Sequence, residues 1–428
     1  MSAINGARRD ITHMTAADRN AILPAFHQGA QIFVPGATGE PIALREILRA
    51  DPERAAGVDF VGCLLPGMND FDYAGLHPDA RLTTFLFPPA FRASFEAGRV
   101  RVLPLAYSQI AEYLAMTAPI DTAILHVAPP DAEGMCSLGV AADFSPLVWR
   151  RAGRRIGLIN PGLPQPARAA KIPFSALDVA VEMAAPVIEA ADAPISAEVA
   201  AIVARVAALI PDGASLQTGI GGAPAAIYEQ LTAHKNLTIR SGMVTPGFQV
   251  LAESGALAAS GHITGVALGT AGFYRFLAEN DVVAFADARI THGPASLAAI
   301  ERFVSVNSAL EIDLFGQVNL EWRGGRMVSG VGGAPDFIRA ASRSAGGRSI
   351  IALPATAGGG KLSRIVPRLT STTSSISRND IDTVVTEFGA ASLQGLSLDE
   401  RAEALIAIAD PAHQASLMEA WAKIRTGL

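Results

Sequence analysis

Short apolar runs that end at glycine or proline recur along the chain and alternate with stretches of helical spacing. Ile32–Pro35, then Gly36 and Gly39, then Ile42–Leu48 reads as strand, turn and helix, with Pro41 at the helix start. Val58–Leu65, Val100–Leu105 and Thr122–Val127 are β-rich, while Ala90–Ala97 and Ser108–Met116 have helical period. Alternation of this kind predicts βαβ units, hence an α/β fold with mainly parallel sheets. Composition shifts around Ala190–Pro194, and Ser196 then reads as the N-cap of a helix running to Leu209. We therefore expect two α/β domains, residues 1–190 and 191–428. The second half repeats the pattern with Thr264–Leu268, Phe273–Ala278, Val282–Ala286, Ser349–Pro354 and Val384–Phe388. Val304–Trp322 is strand-like with a hairpin turn at Gly316-Gln317, and a capped helix starts near Ser397 and Glu400.

The 428 residues are half hydrophobic and 17% charged, enough apolar surface for more than one core and incompatible with disorder. The mean hydropathy of +0.30 is spread evenly, and no run approaches the ~18 apolar residues of a membrane span. No apolar signal core is expected at the start, so we expect no membrane association and a cytoplasmic location. A net charge of −6 argues against a nucleic-acid partner. Cys63 and Cys136 are too few for a disulfide framework and stand in no metal-ligand spacing; they read as reduced, packed thiols, with no metal site.

Three glycine-rich loops carry the candidate chemistry. In Leu216–Gly247 an apolar lead-in meets Gly219, Gly221 and Gly222 and then a helical pattern, which would aim backbone N–H groups at an anion. The same stretch ends in a short strand, Leu237–Ile239, followed by Arg240, Ser241, Gly242 and Met243. Ser329–Ser342 is again a glycine loop running into a helix, and Gly358–Pro367 places Lys361 and Arg364 beside a glycine run.

The string PPDAEGMCSLGV resembles the PPD-x-x-G-x-x-SLGV loop of the acetyl-CoA hydrolase/CoA-transferase family. QTGIGGAPAAI, VNSALEIDLFGQVN, SGVGGAPDF, GGKLSRIVP and VVTEFGAASLQGLSLDERAEALIAIADP resemble later blocks of that family, in the same order. The resemblance covers most of the chain and implies two CoA-transferase-type α/β domains with acyl-CoA in the cleft between them. It further implies coenzyme A as co-substrate and a homo-oligomer, such as a homodimer.

Members of the family use a strand-end glutamate as covalent nucleophile; aligned on Leu237, Ile239, Met243 and Gly247, that position here is Gly242. A family asparagine is matched by His292 in Thr291-His292-Gly293-Pro294. A lost nucleophile, a vacated volume suited to water and a gained base suggest water activated by His292, at a pKa near 6.5. Within that resemblance Gly332 and Gly333 would serve a thioester oxyanion, and Gly219, Gly221 and Gly222 would shape the facing wall or cradle part of CoA. The resemblance assigns Lys361 and Arg364 to the CoA phosphates, and Glu387 to orienting a neighbour, polarising water or replacing the nucleophile. The expected reaction is thioester or C–C hydrolysis of an acyl-CoA. CoA transfer between carboxylic acids and CoA binding without chemistry are the alternatives.

Overall fold

The computed structural model describes residues 16–190, 194–219, 222–371 and 373–428. Two parallel sheets dominate. The first contains β1 (Gln31–Phe33), β2 (Asp59–Gly62), β3 (Arg81–Thr84), β4 (Val100–Val102), β5 (Thr122–Val127), β6 (Arg154–Ile159) and β7 (Val179–Glu182). Its spatial order is β4-β3-β2-β1-β5-β6-β7, all parallel. The second contains β8 (Ser215–Thr218), β9 (Thr238–Ile239), β10 (Phe303–Asn307), β11 (Arg348–Ala352), β12 (Thr383–Thr386) and β13 (Gly389–Ser392). Its order is β9-β8-β10-β11-β12-β13, parallel except for the last strand.

Each sheet therefore reverses its winding once, between β1 and β5 and between β8 and β10. Crevices form at the carboxyl ends of strands at such reversals. Gly36–Glu40 follows β1 and Gly219 follows β8, so both lie at these points; Ile220 and Gly221 fall outside the described residues.

Local signals read from the sequence act as expected. The Ser196 side chain accepts from Val199 N at the start of Ala197–Ala207, and Ser397 with Glu400 forms a capping box on Leu398–Ala407. Gly316 has φ +90 in the turn between Glu311–Asp313 and Val318–Asn319, an antiparallel pair. The stretch Val304–Trp322 is nonetheless split: its start is the fully buried β10 of the main sheet, and only its later part forms the hairpin. Thr264–Leu268 is likewise two short strands, Ile263–Thr264 and Val266–Ala267, each paired elsewhere.

The two halves interlock rather than merely touch. Val266 and Ala288 pack in a core built mainly from residues 33–177, while Val140 and Ala142 pack in one built from residues 202–385. Backbone bonds run from Ala142 N to Gly265 O (3.0 Å), Ala267 N to Val140 O (2.8 Å), Ala288 N to Asp143 O (3.0 Å) and Tyr107 N to Gly332 O (3.1 Å). Ser108 donates to Asp336 through both its N–H (3.0 Å) and its hydroxyl (2.6 Å). No described helix is long and apolar enough to cross a membrane, and both cysteines are free and buried.

Candidate active site

His292 lies where these contacts meet. It ends the short helix Ala288–Thr291, whose N-cap Asp287 accepts from Arg289 N at 2.9 Å. Gly293 must follow it, because a Cβ there would stand 2.0 Å from Arg289 O. The ring is buried, 4.5 Å from the Tyr107 ring of the first half and 4.5 Å from Phe337 on helix Ala334–Arg343.

Two glycines make room for that ring. A Cβ on Gly242 would sit 2.7 Å from His292 Cε1 and 2.8 Å from Nε2; one on Gly333 would sit 2.4 Å from Nε2. Real non-bonded carbon contacts lie near ~3.5–4.0 Å, so neither position accepts a side chain while the imidazole stays in place. The volume expected to be vacated at Gly242 is thus filled by the imidazole itself. That corrects the expectation of a water pocket there.

His292 also departs from the expected pKa near 6.5. Burial lowers it to about 3, with no counter-charge to offset the desolvation. The imidazole is therefore neutral at ordinary pH. Its Nδ1 is 2.8 Å from Thr291 Oγ1, and that hydroxyl has Asp287 O as an acceptor at 3.4 Å. With the hydroxyl proton on Asp287 O, Nδ1–H donates to Oγ1 and the lone pair resides on Nε2, beside Gly333. Among the described residues Nε2 has no hydrogen-bond partner, and the N–H groups of Gly332 and Gly333 donate to no protein acceptor. Gly332, at φ +58, turns its carbonyl to Tyr107 N.

The remaining expected residues are placed differently. Gly219 spends its N–H on Val306 O (2.8 Å), so it continues the sheet instead of presenting an anion donor. Its missing side chain serves Asn307, whose Oδ1 would be 2.4 Å from a Cβ there. Asn307 is held in a buried network with Gln217 and Ser305, bonds of 2.6–3.0 Å, at the winding reversal. Gly222 begins the helix Gly222–Gln230, and Gly221 lies outside the described residues. Glu387 follows β12 and uses Oε2 to accept from Ala355 N (2.8 Å), which makes it an anchor between strand ends; no described contact joins it to His292 or Gly242. Arg364 is half-buried, with its pKa lowered by burial and by Arg323 and supported by Glu387; its guanidinium reaches Ala309 O at 3.4 Å. Lys361 is exposed after Gly358–Gly360, all at positive φ. Among the described residues no group of three or more metal-ligating side chains occurs.

Similarity to known proteins follows the fold and these loops. Residues 269–421 match the model of the acetyl-CoA hydrolase/transferase C-terminal domain. The chain is 34% identical to 4-hydroxybutyrate coenzyme A transferase of Clostridium kluyveri, covering 90% of this chain and 92% of that one. This chain belongs to the acetyl-CoA hydrolase/CoA-transferase family. RipA from Yersinia pestis superposes with a TM-score of 0.86 at 29% identity, covering 95% of this chain and 96% of that chain. An acetyl-CoA hydrolase of Kluyveromyces lactis is 31% identical over 45% of this chain and 37% of its own length. Membership makes the protein an enzyme acting on acyl-CoA, with coenzyme A in the substrate.

Three contributors to the site are not singled out from the sequence: Tyr107, Phe337 and Asp143. An apolar-flanked acid in Ala141-Ala142-Asp143-Phe144 was the available signal for Asp143.

Proposed function

We propose that this enzyme hydrolyses an acyl-CoA thioester, with water in place of the glutamyl nucleophile and His292 receiving the proton. The observation that carries the reading is the fit of the His292 imidazole over Gly242, at distances that exclude a glutamate at position 242 while the ring is present. A water oxygen would attack the thioester carbonyl carbon as its proton passes to Nε2. The carbonyl oxygen, now negative, would take the N–H groups of Gly332 and Gly333, and the collapsing intermediate would release CoA, whose sulfur recovers the proton from the imidazolium. The products are a carboxylic acid and CoA.

The low pKa makes His292 a weak base in the resting site. An oxyanion forming beside Nε2 supplies the counter-charge that the resting site lacks, so basicity rises as the intermediate forms. General-base help is worth ~10²–10⁴ in rate and an oxyanion donor ~10²–10³, enough to make the site effective without covalent chemistry. Lys361 and Arg364 remain in this reading as contacts to the CoA phosphates, and the division at 190/191 as the boundary between the halves.

The test is release of free thiol from a panel of acyl-CoAs, with and without added carboxylic acids. Hydrolysis without an acid, abolished in His292→Gln, is the expected result. Turnover that requires a carboxylic acid, with a hydroxylamine-sensitive glutamyl adduct by mass spectrometry, would instead establish CoA transfer. That outcome is the competing one because the C. kluyveri relative is named a transferase.

A further inference from the structure

We propose that Asp143, acting through Tyr107, is a positioning residue that couples the orientation of the His292 imidazole to the proton on its own carboxyl. The inference rests on the reading of His292 as proton acceptor, and it adds a residue that the reading does not use.

Asp143 is buried at 6% exposure, and no Lys, Arg or His pairs with it among the described residues. Its backbone sits at φ +42, a conformation L residues seldom hold, and its carbonyl accepts Ala288 N on the helix that ends at His292. The groups facing the carboxyl come from three elements. Tyr107 places its hydroxyl 3.5 Å from Oδ2. The Cys63 thiol, buried in the same core as Tyr107, comes from the segment after β2. Asp287, opposite Asp143 in a backbone bridge, adds a like charge from the cap of the His292 helix. A cavity of about 10 Å³ bordered by Gly36, Gly39, Ala141 and Asp143 adjoins them.

Burial drives the Asp143 carboxyl up to about 7; the Tyr107 hydroxyl lowers it and Asp287 raises it. The thiol of Cys63 and the hydroxyl of Tyr107 are both pushed well above their ordinary range, so neither ionises near neutrality. Of Cys63, Tyr107 and Asp143, Asp143 is the one that changes charge there. When it is protonated, its O–H can donate to the Tyr107 oxygen; when ionised, it can only accept from Tyr107. The exchange reverses the hydrogen bond at one end of a ring whose face lies 4.5 Å from the imidazole.

The experiment follows histidine ring resonances of the full-length protein by NMR from pH 5.5 to 9, with His292→Gln used to assign His292 among the eight histidines. The expected result is an inflection in the His292 signal near pH 7 that is absent in Asp143→Asn and reduced in Tyr107→Phe, which keeps the ring and removes the hydroxyl. A hydrolytic rate that loses the same inflection in Asp143→Asn supports the link to turnover. No inflection at His292 in the wild type, or one unchanged in either variant, overturns the proposal. If Asp143→Asn fails to fold, Tyr107→Phe alone decides. If no acyl-CoA is hydrolysed while the inflection behaves as expected, the hydrolase reading fails and the coupling stands.

Discussion

Replacing Gly242 by alanine tests whether this position and His292 share one volume. The new Cβ would stand 2.7 and 2.8 Å from imidazole atoms. The ring has little room to retreat, because Tyr107 and Phe337 lie 4.5 Å from its centroid. Overpacking of a confined ring costs ~1–3 kcal/mol. Gly242 does not occupy the left-handed region, so alanine also restricts the unfolded chain and returns ~0.4–1 kcal/mol. A net loss of about 1–2 kcal/mol is expected in denaturant unfolding at constant m. In a His292→Ala background the added methyl meets open space and the loss should vanish, a coupling of about 1–3 kcal/mol in the double-mutant cycle. Costs additive within about 0.5 kcal/mol would refute the shared-volume argument and remove the main support for the proposed reaction.

The pair can also be reversed. Gly242→Glu combined with His292→Asn frees the ring's space for a carboxylate, and mass spectrometry after incubation with acyl-CoA and hydroxylamine should find a modified Glu at position 242; Gly242→Glu alone should show none. The pH dependence of stability has two limbs of opposite origin. His292, at about 3 folded against 6.5 unfolded, contributes stability that is full above pH 6.5 and lost as pH falls towards 3, several kcal/mol in all. Asp143, at about 7 folded against 3.8 unfolded, contributes stability that is full below pH 3.8 and lost as pH rises through 7. Unfolding free energies measured from pH 4 to 8 should show a shallower acid limb in His292→Asn and a shallower alkaline limb in Asp143→Asn. Ser108→Ala removes the 2.6 Å bond to Asp336, a half-buried carboxyl whose pKa is already raised by burial. A loss of about 1–3 kcal/mol in denaturant unfolding is expected.

What the sequence made legible were features whose cause is local. Ser196 and Ser397 announce helix starts because each side-chain oxygen accepts an N–H three residues on, and Glu400 because its carboxylate accepts the Ser397 N–H three residues back. The turn at Gly316 announces itself through its own backbone conformation, at φ +90. β6 was missed because it opens with Arg154 and Arg155, half-buried at the strand start, and so lacks an even apolar run. The final helix Pro411–Arg425 was missed although Asp410 and Pro411 carry its start signal. The site was legible as residues but not as an arrangement. Glycine at 242 and histidine at 292 suggested a vacancy and a base, because the substitution at 242 was read alone. Tyr107, Phe337 and Gly333 come from separate segments, and only folding brings them around the ring. Once they are in place, the missing side chain at 242 is a packing requirement of His292, and desolvation by the same neighbours turns the expected pH 6–7 base into a neutral imidazole. Taken together, the two positions describe one volume, which the imidazole fills and a side chain at 242 would contest.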